Sequence, residues 1–527
     1  MTEDQVPEIL SRLPTRISDV VRPWAEHSPD HPALLEASGA WSYGQLASII
    51  AETQSWLTDS GVRPGDRVMI VCENCRAFVV IFLALAAIDA WPVLVNARLS
   101  AREIDEVRNH CGARRVIYMT SVSPHAMAHA KRHGAAIEAV LNLGSIGVAA
   151  LDENVAPEPI GANVAERVAA LIYTSGTTAA PKGVMLTHKN LLFVAAVSAR
   201  IRSLTPDDRL YGVLPMSHAV GLSVVLLGTL LSGATLYLAS RFDPMTAPAA
   251  LEGNKLTVLL GVPYMFAQLL QYAELRRLTS LRFPALRIIS SSGAPLQLAV
   301  KSATESLFGL VLHNGYGVTE CSPTIAQTRV EKPCTDTSVG PVFPGVEVRL
   351  LGHDRRPVGR GEVGELQVRG PNVMKGYYHA PEETAAVIDA DGWFNTRDLA
   401  RLEQGNLFLV GRAKDLIVRF GFNVYPAEVE AVLNAHPAVV QSGVVGRSLD
   451  ADEEIVAFVQ LLPEATLTTN ELAEHAARSL APYKRPARIV FVPTLPLTPT
   501  GKIAKAELAN LATQIAAARD TGGCSRR

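Results

Sequence analysis

YTSGTTAAPKGVMLTH, residues Tyr173–His188, decides how this chain is read. A short apolar run, Val168–Tyr173, leads into it, and residues at helical spacing (Leu191, Leu192, Val194, Ala195) follow it. A Ser/Thr/Gly loop between a strand and a helix is a place for phosphate. Gly176 lets backbone N–H groups close on oxygens, the hydroxyls of Thr174, Ser175, Thr177 and Thr178 donate, and Lys182 adds a positive charge. A Walker A loop is excluded, because that pattern needs Gly-Lys-Ser/Thr and Lys182 stands between Pro181 and Gly183.

Outward from this loop, short apolar runs alternate with helix-like segments from Val68 to Leu312. Val68–Val71, Val116–Tyr118, Leu210–Leu214, Leu256–Leu260, Leu286–Ser290 and Leu310–Leu312 are the clearest runs. Such alternation predicts α/β structure with parallel sheets covered on both faces. After Ser338 the texture changes: Gly and Pro become dense, and strand-like pieces (Val346–Leu350, Glu365–Val368) lack helices between them, which predicts a β-rich subdomain over residues 338–411. The charged turn GRAKD at Gly411–Asp415 opens a compact α+β segment. Its strands are expected near Leu416–Arg419, Val439–Val445 and Ile455–Leu461, and its helices near Pro426–Asn434 and Asn470–Leu480. The expected division is a large N-terminal domain over 1–411, a hinge at 412–415 and a small C-terminal domain over 416–527, with Thr521–Arg527 left without ordered structure.

Composition narrows the function classes. A chain of 527 residues exceeds one core. Its 48% hydrophobic and 19% charged content is that of a globular protein, and a net charge of −2 without basic runs gives no support for nucleic-acid binding. The N-terminal MTEDQVPEIL lacks the apolar core of a secretion signal, so a cytoplasmic location is expected. Two apolar stretches are long enough to test as membrane spans. Ala77–Val95 contains Asp89 and Pro92, and Ala219–Ala239 is broken by Gly221, Gly228 and Gly233; both read as buried elements, so no span is expected. Of the six cysteines, Cys72 and Cys75 have redox or zinc spacing, but no second pair or nearby His completes a site, and buried reduced thiols are expected.

YTSGTTAAPKG resembles the signature loop of the adenylate-forming superfamily, in its acyl- and aryl-CoA synthetase branch, and further motifs continue the likeness in order over roughly residues 30–505. The resemblance implies an AMP-forming acid:CoA ligase with ATP, Mg²⁺ and CoA. A carboxylate attacks the α-phosphorus of ATP, pyrophosphate leaves, and CoA takes the acyl group. NGYGVTE, Asn314–Glu320, resembles the motif in which Tyr316 stacks on adenine, Thr319 bonds the α-phosphate and Glu320 holds Mg²⁺; Asn314, Gly315 and Gly317 share this nucleotide-binding turn. The SSGAP turn, with Gly293, Ala294 and Pro295, resembles the other adenine wall. In GWFNTRDL, Asp398 matches the ribose-gripping carboxylate, and Arg412 in GRAKD is a further ribose contact. Lys502 in PLTPTGK matches the catalytic lysine, and Lys414 the hinge of a mobile C-terminal domain. FGFNVYP resembles the segment whose Gly421 and Phe422 let pantetheine pass. Two residues depart from the usual pattern: Ala179 and Arg397 stand where the family commonly has Gly.

The resemblance places the acid among Met216–Val225, Gly261–Phe266, Ser291–Ala294 and His313–Gly317, which contain His218 and His313 but no Lys or Arg. An apolar pocket selects apolar acids, so a medium- or long-chain fatty acid or an aromatic acid is expected over a dicarboxylate. His218 is either the aromatic-or-His gate of the family or a satisfied core histidine. A carrier-protein thiol in place of CoA, and a non-catalytic nucleotide-binding homologue, are the alternative functions. The sequence leaves the oligomeric state open.

Overall fold

The computed structural model describes residues 3–140, 142–174, 181–420, 422–449, 452–463, 465–497 and 503–522. The chain forms two compact units, Met1–Val348 with Val368–Asn395, and Arg349–Gln367 with Thr396–Arg527. The β-rich segment expected over 338–411 is therefore shared between them.

The first unit carries two eight-stranded sheets. In one, Arg67–Cys72 lies at the centre, parallel to Trp91–Asn96 and Arg115–Tyr118, and Val168–Thr174 runs parallel to Trp91–Asn96. Every residue of Arg67–Cys72 and Trp91–Asn96 is buried, the unbroken apolar texture of strands covered on both faces. In the other sheet, Leu312–Gly317, Ile288–Ser291, Val258–Gly261, Arg209–Gly212, Thr235–Leu238 and Pro32–Glu36 follow one another in parallel, flanked by antiparallel edges Thr324–Gln327 and Gly39–Ser42. The runs Leu210–Leu214, Leu256–Leu260, Leu286–Ser290 and Leu310–Leu312 overlap four of these strands, whereas Pro32–Glu36, Gly39–Ser42 and Thr324–Gln327 lie outside the expected runs.

Both stretches tested as spans break, at Asp89 and at Gly233, while Pro92 lies within a strand and Gly221 within a helical segment. Ala77–Val95 resolves into the buried helix Arg76–Ala87, a turn at Asp89 and the strand Trp91–Asn96. Asp89 takes φ +58° and pairs with Arg16 and Arg167. Ala219–Ala239 becomes a π-helical segment Val220–Leu227, a short helix Gly228–Leu231 and the strand Thr235–Leu238. Among the described residues no helix is long and apolar enough to cross a membrane. The Cys72–Cys75 pair is structural. Cys75 caps the helix that follows, its sulfur accepting from Phe78 N–H at 3.4 Å, and burial pushes its thiol up to about 12. Between them Asn74 donates to the carbonyls of Gly212 and Leu214 and accepts from Met216 N–H, tying the ends of the two sheets.

In the second unit, Val439–Leu449, Asp452–Leu461 and Arg488–Phe491 form a three-stranded sheet against helices Pro426–Asn434 and Thr469–Ala477. A separate four-stranded sheet has the order Glu347–Leu351, Gly364–Arg369, Phe394–Glu403, Asn406–Arg412. The tail differs from expectation: a final helix, Lys505–Gly522, continues through Thr521 and Gly522, because Leu508 and Ala512 pack their apolar face on Val445, Val456 and Phe458. The rest of that tail, 523–527, lies outside the described residues.

A buried carboxylate, Asp208, paired with the exposed Arg287, sets the base of the second sheet. Asp208 accepts from Arg287 twice, at 2.8 and 2.7 Å, from Thr257 Oγ1 at 2.7 Å and from Thr205 N–H at 2.9 Å. Burial alone would raise its pKa, but the Arg287 and Thr257 hydrogen bonds outweigh that and hold it below the usual carboxylate range. A depressed pKa stabilises the fold above the unfolded value, about 3.9, and that contribution is lost as pH falls through the folded value. Asp208→Ala removes the buried acceptor of Thr257 Oγ1 and Thr205 N–H, while the exposed Arg287 is re-solvated; it is expected to cost roughly 1–2 kcal/mol at pH 7, read as a lowered urea midpoint, with the gap to the parent protein narrowing below about pH 4.

Candidate active site

The signature loop joins two strands, which corrects the expectation of a strand-to-helix loop. Val168–Thr174 pairs antiparallel with Lys182–Thr187 in the register Thr174↔Lys182, Tyr173↔Gly183, Ile172↔Val184. The helix begins only at His188. Thr187 Oγ1 accepts from Asn190 N–H and Asn190 Oδ1 accepts from Thr187 N–H, a capping box that occupies the helix N-terminus with protein groups. No helix end therefore lies directly behind Lys182. Ser175, Gly176, Thr177, Thr178 and the departure Ala179 lie outside the described residues.

The hairpin stem is held from both sides. Tyr173 Oη is 2.8 Å from His110 Nδ1, and a Cβ on Gly183 would meet Tyr173 Cζ at 3.1 Å, so glycine lets the ring lie under the hairpin. Burial and then the charge of His379 lower the His110 pKa, keeping the imidazole neutral. On the other side runs the short strand Gly376–Tyr377, paired with Met185 and Val184. Tyr378 N–H donates to Gly183 O at 2.7 Å, and Lys182 Nζ lies 5.3 Å from the centre of the Tyr377 ring.

The NGYGVTE turn meets the same strand. Leu312–Gly317 ends in extended Val318, and Thr319–Cys321 makes a single 3₁₀ turn. Met374 N–H donates to Glu320 O at 2.8 Å, and Tyr377 Oη donates to Glu320 Oε1 at 2.8 Å. Tyr316, half-buried, pairs with Ala326. Asn314, expected at the nucleotide, has its polar groups engaged within the protein. Its Nδ2 donates to Thr337 O and Ser338 O, its Oδ1 accepts from Gly315 N–H, and its backbone is bonded to Thr328 on both sides. It braces the turn. Gly293, Ala294 and Pro295 follow the strand Ile288–Ser291, whose neighbour is Leu312–Gly317, so the two expected adenine walls leave adjacent strand ends.

Around the expected acid pocket, Met216, Leu222, Val224, Val225, Met265 and Phe266 are buried apolar residues. His218 is half-buried and starts the turn into the π-helical segment, its N–H donating to Pro215 O and its carbonyl accepting from Leu222 N–H. His313 is buried beside Thr328 Oγ1, at 3.3 Å; burial, reinforced by the charges of Arg202 and Lys301, takes its pKa down to about 4. It is neutral at pH 7.

The remaining expected residues belong to the second unit. Asp398 is buried and pairs with Arg412, Nε to Oδ1 3.1 Å, across the register Asp398↔Arg412. Arg397, the departure beside it, takes φ +59°, the left-handed region that glycine enters cheaply. A non-glycine residue holds this conformation at a cost of order 1–3 kcal/mol. Lys414 sits in the 3₁₀ turn Ala413–Asp415; partial burial, with Arg412 adding to it, lowers its pKa. Phe422 is exposed and stacks on Tyr483 at 4.6 Å. Gly421 and Lys502 lie outside the described residues.

Comparison with known proteins fits this geometry. The AMP-binding enzyme family model matches residues 21–378, and the AMP-binding enzyme C-terminal domain model matches 428–502. The chain belongs to the AMP-binding enzyme family. It is 34% identical to a feruloyl-CoA synthase of Amycolatopsis sp over 490 residues, covering 92% of this chain and 96% of the relative. It is 32% identical to 4-coumarate–CoA ligase 5 of Oryza sativa subsp. japonica over 495 residues, covering 90% of each. Its structure is similar to that of ATP-bound MatB from Rhodopseudomonas palustris, with TM-score 0.84, 29% identity and coverage of 95% and 99%. The chain is accordingly an adenylate-forming acid–thiol ligase, and ATP and CoA are the substrates this membership implies.

Tyr377 and His110 escaped the sequence reading. The only local signal for Tyr377 is an aromatic pair between Gly376 and Pro381, and His110 is marked by nothing but its type.

The turn also has a point of no tolerance. A Cβ on Gly317 would fall 1.8 Å from Pro323 O, whereas one on Gly315 meets nothing nearer than 3.6 Å. Gly317→Ala is expected to shift Thr319 and Glu320 and cut acid-dependent pyrophosphate exchange by about 100-fold; Gly315→Ala is expected to retain most of it with a small acid.

Proposed function

We propose that this ligase joins an apolar carboxylic acid, aromatic or medium- to long-chain, to CoA through an acyl-adenylate, in the cytoplasm. The observation that carries the choice of acid is the lining expected for the pocket: buried Met216, Leu222, Val224, Val225 and Phe266, a neutral His313, and no Lys or Arg in the four segments. A second carboxylate would enter that lining without a cation to pair with, at a desolvation cost of several kcal/mol. The relatives named for feruloyl and 4-coumarate substrates support the aromatic choice.

The hairpin residues Thr174, Ser175, Gly176, Thr177, Thr178 and Lys182 cradle the β- and γ-phosphates, and Thr319 bonds the α-phosphate. Tyr316 stacks on adenine opposite Gly293–Pro295, while Asp398 and Arg412 take the ribose. Among the described residues no group of three or more His, Cys, Asp or Glu could hold a metal. Glu320 with Thr319 nevertheless fits Mg²⁺, which takes one or two carboxylates and fills its shell with phosphate oxygens and water. Bound there, Mg²⁺ supplies charge neutralisation on the leaving pyrophosphate. His218 gates the acid, and Lys502 bridges carboxylate and α-phosphate as their charges meet. Lys414 is the hinge between a domain over 1–411 and one over 416–527, and its rotation exchanges Lys502 for Gly421 and Phe422, past which pantetheine reaches the adenylate.

The test is AMP release from ATP and Mg²⁺ with ferulate, benzoate, octanoate and malonate, each with and without CoA. CoA-dependent AMP release with thioester, fastest for an aromatic or aliphatic monoacid, is expected. Malonate outpacing all three would refute the pocket reading, and pyrophosphate exchange without thioester would replace CoA by a carrier thiol.

A further inference from the structure

Tyr377 lies outside every motif read from the sequence, yet it touches two of the charged groups assigned to ATP. Its Oη donates to Glu320 Oε1 at 2.8 Å, and Lys182 Nζ stands 5.3 Å from the centre of its ring. Lys182 and Glu320 carry opposite charges, and each has Tyr377 in place of an ion-pair partner among the described residues. A direct pair between them would cancel the cation meant for phosphate against the anion meant for metal. The phenol instead satisfies one carboxylate oxygen and leaves Oε2 without a hydrogen-bond partner among the described residues, while the ring face attracts the ammonium without neutralising it. The side chain is itself fixed. Tyr377 is buried, its N–H donates to Thr384 Oγ1 at 2.9 Å, and its strand is paired with the hairpin.

We infer that Tyr377 is a positioning residue for the metal–nucleotide complex, holding Glu320 ready for the cation and Lys182 apart from it. This rests on the reading of Glu320 as the Mg²⁺ ligand. The test measures Mn²⁺ affinity of the full-length protein with α,β-methylene-ATP, from the loss of the free-Mn²⁺ electron paramagnetic resonance signal, for the parent, Tyr377→Phe and Glu320→Gln. Thermal midpoints are recorded alongside. Tyr377→Phe keeps the ring and removes only the hydroxyl; it is expected to weaken Mn²⁺ about tenfold, the equivalent of one charge-assisted hydrogen bond of roughly 1.5 kcal/mol. The Mg²⁺ concentration for half-maximal pyrophosphate exchange should rise in parallel. Tyr377→Leu should in addition raise the KM for ATP, because Lys182 loses its ring. If Glu320→Gln weakens Mn²⁺ while Tyr377→Phe changes it less than twofold, the role of Tyr377 is overturned and the metal reading stands. If neither variant changes it, the metal reading fails and takes this inference with it. A purely structural tyrosine would lower the thermal midpoint and leave Mn²⁺ affinity unmoved.

Discussion

Joining a carboxylate to the α-phosphorus of ATP means bringing two anions together, and the groups that offset their charge must be in place beforehand. The two-residue strand Gly376–Tyr377 answers that constraint within the first unit. It pairs with the hairpin that carries Lys182, while the segment before it bonds Glu320 O through Met374 N–H. Hairpin, carboxylate turn and this strand are thereby tied into one body. A shift of the strand would carry Lys182 and the acidic turn with it.

The placement follows from the sheets beneath. Val168–Thr174, Ile288–Ser291 and Leu312–Gly317 each run parallel to a neighbour and are followed in sequence by polar residues at the carboxyl end. Ligands of open α/β sheets collect at those ends. The first residues of these strands are buried and their carboxyl ends only partly so in Val168–Thr174 and Leu312–Gly317, and Asn74, bonded to Gly212, Leu214 and Met216, links one sheet end to the other. The Asn314 side chain works in the same sense, using all its polar groups to fix the NGYGVTE turn against 337–338.

Much of this was legible in the sequence, for physical reasons that can be named. Doubly covered strands leave unbroken apolar runs such as Val68–Val71, and the breaks at Asp89 and Gly233 separated buried elements from membrane spans. The error at the hairpin is equally instructive. KGVMLT has strand-like alternation, with Val184 and Leu186 buried, and the Thr187–Asn190 capping box marks the true helix start. The left-handed φ of Arg397 was signalled only by the family's glycine, since nothing in Arg itself announces it. Tyr377 was illegible because its role arises from a tertiary contact with Glu320, 57 residues away in sequence.

The account stands on oxygen attack at the α-phosphorus. Supplying an accepted acid with both carboxylate oxygens as ¹⁸O, and reading AMP and pyrophosphate by mass spectrometry, tests it most directly. One labelled oxygen should appear in AMP and none in pyrophosphate, with the other kept in the thioester. Unlabelled AMP, or label in pyrophosphate or phosphate, would contradict an acyl-adenylate and with it the roles assigned to the hairpin, Glu320 and Tyr377.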